Sequence, residues 1–399
     1  MSPWAPVDKS ELLPDKSIVY SMYVGRQALH DFVRPQDGMR YPQRLACSPA
    51  RWVWGSSYAM VVIPNQAGVD APVRHWISSM NFQDKFDLIM SRQSGFEWGG
   101  EYIPSTLAVK REAPKSSRVS RLNSAKLGRA LHVLSTPERV FTQLALYHPD
   151  LLDIHEQKVL WPYSAGHPLL GHPLTKGTLL APVRGTLKIA EEIGFKHHLF
   201  VNEKPDGSRE WTPFPYQGDL LLYMNGRDGI PYAVNWTVKD REEAFHERRG
   251  SKAKTPIQQK ADRDHAELRA ELEKAYYASA GIRTVQMSLD KVDKVVIANL
   301  DALFVVHDIP LSHDKALLDE FSAEVREAVL AGNPSAHVAF KYGARWGKRD
   351  QFIARIYQDI WSRKLAVNFF SPIHIDHPFS TDGGDLLSVY GALFEESEP

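Results

Sequence analysis

Three residues of this chain have the types and spacing to hydrolyse a phosphodiester: Glu138, Asp219 and Lys239. That reaction needs a hard cation held by carboxylates, a positioned water, and a positive group near the nucleophile or the scissile phosphate. Asp219 follows Gln217-Gly218 and heads the apolar run Leu220-Leu221-Leu222-Tyr223-Met224, while Lys239 closes Tyr232-Ala233-Val234-Asn235-Trp236-Thr237-Val238. Between them Asn225-Gly226-Arg227-Asp228-Gly229 supplies the glycines of a hairpin connection. In an antiparallel pair the start of one strand lies beside the end of the other, so the Asp219 and Lys239 side chains should converge. Glu138 stands in Ser135-Thr136-Pro137-Glu138, which reads as an N-cap, a proline and an acid in the first turn of a helix. Each residue alone is an ordinary exposed charge. Only the order helix Glu, strand Asp, strand Lys argues for a site.

The elements that must position these residues can be read around them. Val140, Phe141, Leu144 and Leu146 give the helix from Pro137 an apolar face, and Leu151 to Gln157 reads as an extended segment. The Pro- and Gly-rich stretch from Trp161 to Thr178 reads as irregular. Beyond the hairpin the pattern predicts a helix from Ile257 to Ala280 closed by Gly281, then a strand over Thr284–Met287. Helices over Lys315–Ala331 and Lys348–Arg363 and a strand-like Leu365–Phe370 complete the C-terminal part. Residues 1–105, with Trp4, Trp52, Trp54, Trp76 and Trp98, predict a small α+β or β-rich module of unassigned role, its aromatics read as core rather than base-stacking.

At 399 residues, with 43% hydrophobic and 24% charged residues, the chain is a globular protein of two or three domains. Its net charge of zero means that any affinity for nucleic acid must come from local patches. Such a patch is offered by Lys110, Arg111, Lys115, Arg118, Arg121, Lys126 and Arg129, opposed only by Glu112. It reads either as a solvated tether or as a basic arm that neutralises phosphates. Lys348-Arg349-Asp350, with Arg345 and Arg355, reads as a solvated helix face or a partner contact. The lone Cys47 excludes internal disulfides and cysteine-rich zinc modules and fits a reducing compartment. The start lacks the pattern of a signal peptide, and no stretch approaches the ~20 apolar residues of a membrane span, so a soluble, cytoplasmic protein is expected. His148, His155, His167, His172, His197 and His198 lack the helical two-ligand spacing of a zinc site and read as structural or surface residues. A phosphate-binding glycine loop and a Gly-x-Ser-x-Gly elbow are both absent from the sequence.

Asn123-Ser124-Ala125-Lys126-Leu127-Gly128-Arg129, then Ser135 to Arg139, then His148-Pro149-Asp150-Leu151-Leu152-Asp153-Ile154-His155-Glu156-Gln157, resembles the opening of TnsA-type endonuclease domains. The hairpin from Asp219 to Lys239 falls where that family carries its catalytic Asp and Lys, and Glu273-Lys274-Ala275-Tyr276-Tyr277 with Gly281-Ile282 is similar to the helix and strand that follow. The resemblance covers about residues 120–304, with a weaker echo at Asp359 to Leu365. It implies an α/β protein with a restriction-endonuclease-like core, here placed with its basic linker at 106–304, and a winged-helix-like domain at 305–399. It further implies Mg²⁺, with Mn²⁺ substituting, and double-stranded DNA at transposon ends as substrate. The implied partners are a DDE transposase subunit of TnsB type and an ATPase regulator of TnsC type, and the implied reaction is cleavage of the 5′ ends.

Two features depart from that pattern. Restriction-type sites place Glu, Asp or Gln two residues before the lysine, and here that position is Thr237, a poorer metal ligand. The cation would then rest on Glu138, Asp219 and the Val238 carbonyl, with Thr237, Glu156 and Gln157 as accessory candidates. The other departure is the N-terminal module. Thr237 and the neutral net charge leave room for a catalytically degenerate DNA-binding or assembly subunit, and a stand-alone repair or defence nuclease is a third reading.

Overall fold

A computed structural model describes residues 81–110, 112–114, 117–204, 206–246 and 254–396 of the chain, all within one compact unit, Ile77–Pro399. The expectations for residues 1–80, and for Arg111 and Lys115, lie outside the described residues.

In chain order the described elements are α1 (Phe82–Gln93), β1 (Ser120–Ser124), β2 (Arg129–Val133), α2 (Thr136–Tyr147), β3 (Leu151–Glu156), β4 (Val159–Leu160) and α3 (Thr186–Glu192). There follow β5 (Leu199–Glu203), β6 (Arg209–Pro213), β7 (Tyr216–Gln217), β8 (Leu220–Asn225), β9 (Pro231–Lys239), α4 (Pro256–Ala278) and β10 (Arg283–Ser288). The C-terminal part is α5 (Lys294–Val306), α6 (Lys315–Leu330), α7 (Ser335–Trp346), α8 (Arg349–Trp361) and α9 (Leu386–Tyr390).

The centre of this mixed α/β fold is a four-stranded sheet in the order β10-β9-β8-β3. β8 runs antiparallel to both β3 and β9, and β10 runs parallel to β9. A parallel neighbour requires a crossover, and α4 provides it. Leucine, valine and aromatic residues fill β8 and β9 almost without alternation because both faces are covered. On one face Trp236 meets Phe141 of α2 with ring centroids 6.3 Å apart. On the other, Leu221, Tyr223 and Ala233 join Leu272, Tyr276 and Tyr277 of α4 in one buried cluster.

Both covering helices begin as their sequences dictate. The Ser135 side chain accepts from the Glu138 N–H at the start of α2, and Thr255 and Gln258 form a reciprocal capping box at α4. The expected hairpin, the strand at Thr284–Met287 and the helices over Lys315–Ala331 and Lys348–Arg363 are present with ends shifted by a few residues at most. α1, α3, α5, α7 and the β1–β2 and β5–β6 hairpins are additions.

Leu365–Phe370 is not a strand. Its Leu365, Val367 and Phe369 do alternate inward, but among the described residues the backbone has no neighbouring strand: Asn299 donates to the Phe369 and Ser371 carbonyls, and the Asn368 N–H donates to the Ser380 carbonyl. The described residues from 305 to 396 contain helices and turns and no strand. The C-terminal end returns to the sheet, where the Trp236 indole donates to the Leu393 carbonyl at 2.9 Å and Tyr232 donates to Phe394 at 2.9 Å. Among the described residues no helix is long and apolar enough to cross a membrane.

Candidate active site

Asp219 lies where β3, β8 and β9 end together. Its main-chain carbonyl accepts from the Gln157 N–H at 3.0 Å, continuing the β3–β8 ladder by one step. Its Oδ2 accepts from the Val238 N–H at 2.8 Å and from Lys239 Nζ at 3.5 Å. The expected convergence of Asp219 and Lys239 is therefore a consequence of antiparallel register, with Leu220 opposite Trp236 fixing the offset. Both side chains remain about one-third exposed, so a substrate can reach them.

Glu138 enters from the first turn of α2. Its Oε1 accepts from the Ser135 hydroxyl at 2.7 Å, and its Oε2 from the Leu134 N–H at 2.8 Å and Gln157 Nε2 at 3.0 Å. Burial and the neighbouring Asp219 charge push its carboxyl up to about 7, while the Leu134 and Ser135 hydrogen bonds and the Lys239 ammonium pull the other way. Two carboxylates close enough to resist joint ionisation, one of them largely desolvated, suit a cation that would relieve both effects.

The oxygen inventory fits a hard divalent ion. Glu138 Oε1 and Asp219 Oδ1 carry one and no hydrogen bond from the described residues, which leaves lone pairs for a metal. The buried Gln157 Oε1 also has no partner. Among the described residues no group of three or more His, Cys, Asp or Glu is placed to hold an ion, so a metal here would need amide or main-chain oxygens beside the two carboxylates.

The remaining candidates divide. Thr237 turns away from the pair: its hydroxyl donates to Glu273 Oε1 at 2.9 Å, joined there by Asn235 Nδ2 at 3.0 Å, while Arg269 holds Glu273 Oε2 at 3.1 Å. The Val238 N–H serves Asp219. Glu156 is fully buried, with both oxygens bound by Arg129 at 3.1 Å and Oε1 by the His132 N–H at 2.9 Å. Burial pushes its carboxyl up to about 6, against the pull of Arg129.

Arg129, grouped in sequence with phosphate contacts, is thus an internal counterion, paired with Asp153 as well as Glu156. Lys126 donates to the His148 and Pro149 carbonyls. Lys110, Arg118 and Arg121 are exposed. Of the histidines, His155 is buried against Tyr102, with ring centroids 3.8 Å apart, and burial pulls its pKa down to about 3, so it is neutral.

Glu273 and its cage of Asn235, Thr237 and Arg269 were not foreseen. The signal was a carboxylate on the buried stripe of α4, three and four residues before Tyr276 and Tyr277. A cleft of about 400 Å³ is lined by residues including Lys85, Ser105, Leu134, Tyr216 and Arg269; Glu138, Asp219 and Lys239 do not line it, although Leu134 and Ser105 hydrogen-bond Glu138 and Gln157 respectively.

No protein-family model matches this chain, and no curated protein matches it.

Proposed function

We propose that the chain is a Mg²⁺-dependent DNA endonuclease with a restriction-endonuclease-like core, Mn²⁺ serving in place of Mg²⁺. The observation that carries this reading is the meeting of Glu138, Asp219 and Lys239 at one sheet end, with Lys239 Nζ 3.5 Å from Asp219 Oδ2. Further support comes from the order helix, three antiparallel strands, crossover helix and parallel strand in α2-β3-β8-β9-α4-β10.

In this reading Glu138 and Asp219 hold the cation, which when bound polarises the scissile phosphate and lowers the pKa of an attacking water. Lys239, tethered by Asp219, keeps its ammonium beside the reacting oxygens and offsets negative charge that develops there. Ser135 and Leu134 fix the Glu138 carboxyl, so its oxygens need no reorganisation when the substrate arrives. Lys110, Arg118 and Arg121 are the described cations for the DNA backbone.

In keeping with the resemblance of residues 120–304 to TnsA-type domains, the proposed reaction is cleavage of the 5′ ends of a transposon, with a DDE transposase of TnsB type and an ATPase of TnsC type as proposed partners. The test is strand-specific cleavage of transposon-end DNA with those subunits present. Asp219→Ala, Glu138→Ala and Lys239→Ala should each lower 5′-strand cutting on the order of 10²-fold or more, with 3′ cutting and complex assembly intact. Wild-type cutting by all three variants refutes the site. A wild-type chain that assembles but does not cut supports the degenerate-subunit reading instead.

A further inference from the structure

We infer that Gln157 supplies the third protein oxygen to the cation, in the place that Thr237 has vacated. This rests on the endonuclease reading, whose metal site it completes.

Gln157 links the main chain of Asp219 to the Glu138 carboxylate. Its main-chain N–H donates to the Asp219 carbonyl, and its side-chain Nε2 donates to Glu138 Oε2. The residue is only 3% exposed, and with Nε2 directed at one carboxylate its Oε1 is buried without any hydrogen bond. A buried acceptor left unpaired keeps its full desolvation penalty, so such atoms call for a partner. A neutral carbonyl oxygen is a normal ligand for a hard divalent ion.

The backbone at Gln157 is strained. Its φ of 47° lies in the left-handed region, which is unfavourable for a non-glycine residue and persists only where surroundings enforce it. They do so here: the Ser105 hydroxyl donates to the Gln157 carbonyl at 2.6 Å, and the Tyr102 hydroxyl donates to the preceding Glu156 carbonyl at 2.9 Å. A glycine would relieve the strain but would remove the amide.

Thr237 stands two residues before Lys239, on the strand that usually carries this ligand, and is committed to Glu273. Two side chains hydrogen-bond the Glu138 carboxylate among the described residues; Ser135 Oγ already accepts from the Glu138 N–H, whereas Gln157 Oε1 accepts from none.

Mn²⁺ binding to the full-length chain, followed by the loss of the free-ion paramagnetic signal, separates the possibilities. Gln157→Ala should weaken binding about tenfold or more, without loss of cooperative melting. Gln157→Glu keeps an oxygen but loses the donor to Glu138, so it should bind Mn²⁺ as tightly as wild type or more tightly. If Gln157 only positions Glu138 through Nε2, both variants should weaken binding, and that result overturns the inference. It is equally overturned if Gln157→Ala binds as wild type while Asp219→Ala and Glu138→Ala do not, an outcome that leaves the endonuclease reading intact. If the wild-type chain binds no Mn²⁺, the endonuclease reading fails first. Should Gln157→Ala not fold, Gln157→Glu decides alone; if neither folds, Gln157 is a folding residue and the inference falls.

Discussion

Replacing Glu138 by glutamine should stabilise the metal-free protein at alkaline pH. The carboxyl is held at about 7 in the folded chain against an ordinary 4.5, first by burial and then by the Asp219 charge. A carboxyl whose pKa is raised on folding favours the protonated folded state. Its penalty is therefore absent below pH 4.5, grows as pH rises from 4.5 to about 7, and is complete above that. The gap corresponds to roughly 3 kcal/mol.

Glutamine fits the same cage. Its carbonyl oxygen can accept from the Leu134 N–H and Gln157 Nε2, as Glu138 Oε2 does, while its amide donates to the Ser135 oxygen in place of the reverse bond. Thermal melting in excess chelator is the assay, read from pH 4 to pH 8. Glu138→Gln should melt roughly 5 °C or more above wild type at pH 8, with the difference vanishing near pH 4. The carboxyl of Glu156, also raised, is common to both proteins and cancels. Adding Mn²⁺ at about a hundred times its Kd should restore roughly 2.7 kcal/mol to the wild type and less to the variant. A variant that is no more stable than wild type at pH 8 in chelator refutes the desolvated-carboxylate argument.

Removing Arg129 by Arg129→Met leaves Glu156 buried without its counterion, and should cost about 3–5 kcal/mol in urea unfolding; the salt dependence of DNA binding should stay at the wild-type value. Replacing Lys110, Arg118 and Arg121 with glutamine should instead leave stability unchanged and reduce the slope of log K against log salt by roughly 0.9 for each phosphate no longer neutralised. An unchanged slope identifies the segment as a tether.

What the sequence alone determined is local or set by one turn. The hairpin connection between Asn225 and Gly229 fixes the register of β8 and β9, and register alone brings Lys239 to Asp219. Ser135, Pro137 and the apolar stripe after them fix where α2 starts, which puts Glu138 in its first turn. These features depend on neighbours a few residues away, and the amino-acid types report them.

Only the tertiary structure decided the rest, because a charge or amide takes its role from whatever packs beside it. Arg129 belongs by sequence to a basic run, yet the carboxylates of Asp153 and Glu156 lie against its guanidinium and draw it inward. Thr237 occupies a ligand position, but Glu273, 36 residues on, takes its hydroxyl. Leu365 to Phe370 alternates like a strand, but the backbone pairs with Asn299 and a loop because no strand edge faces it. Gln157 read in sequence only as an accessory candidate at the end of a strand. Its unpaired oxygen and its bond to Glu138 exist only once α2, β3 and β8 meet, since desolvation and partnership are properties of the assembled surroundings rather than of the residue.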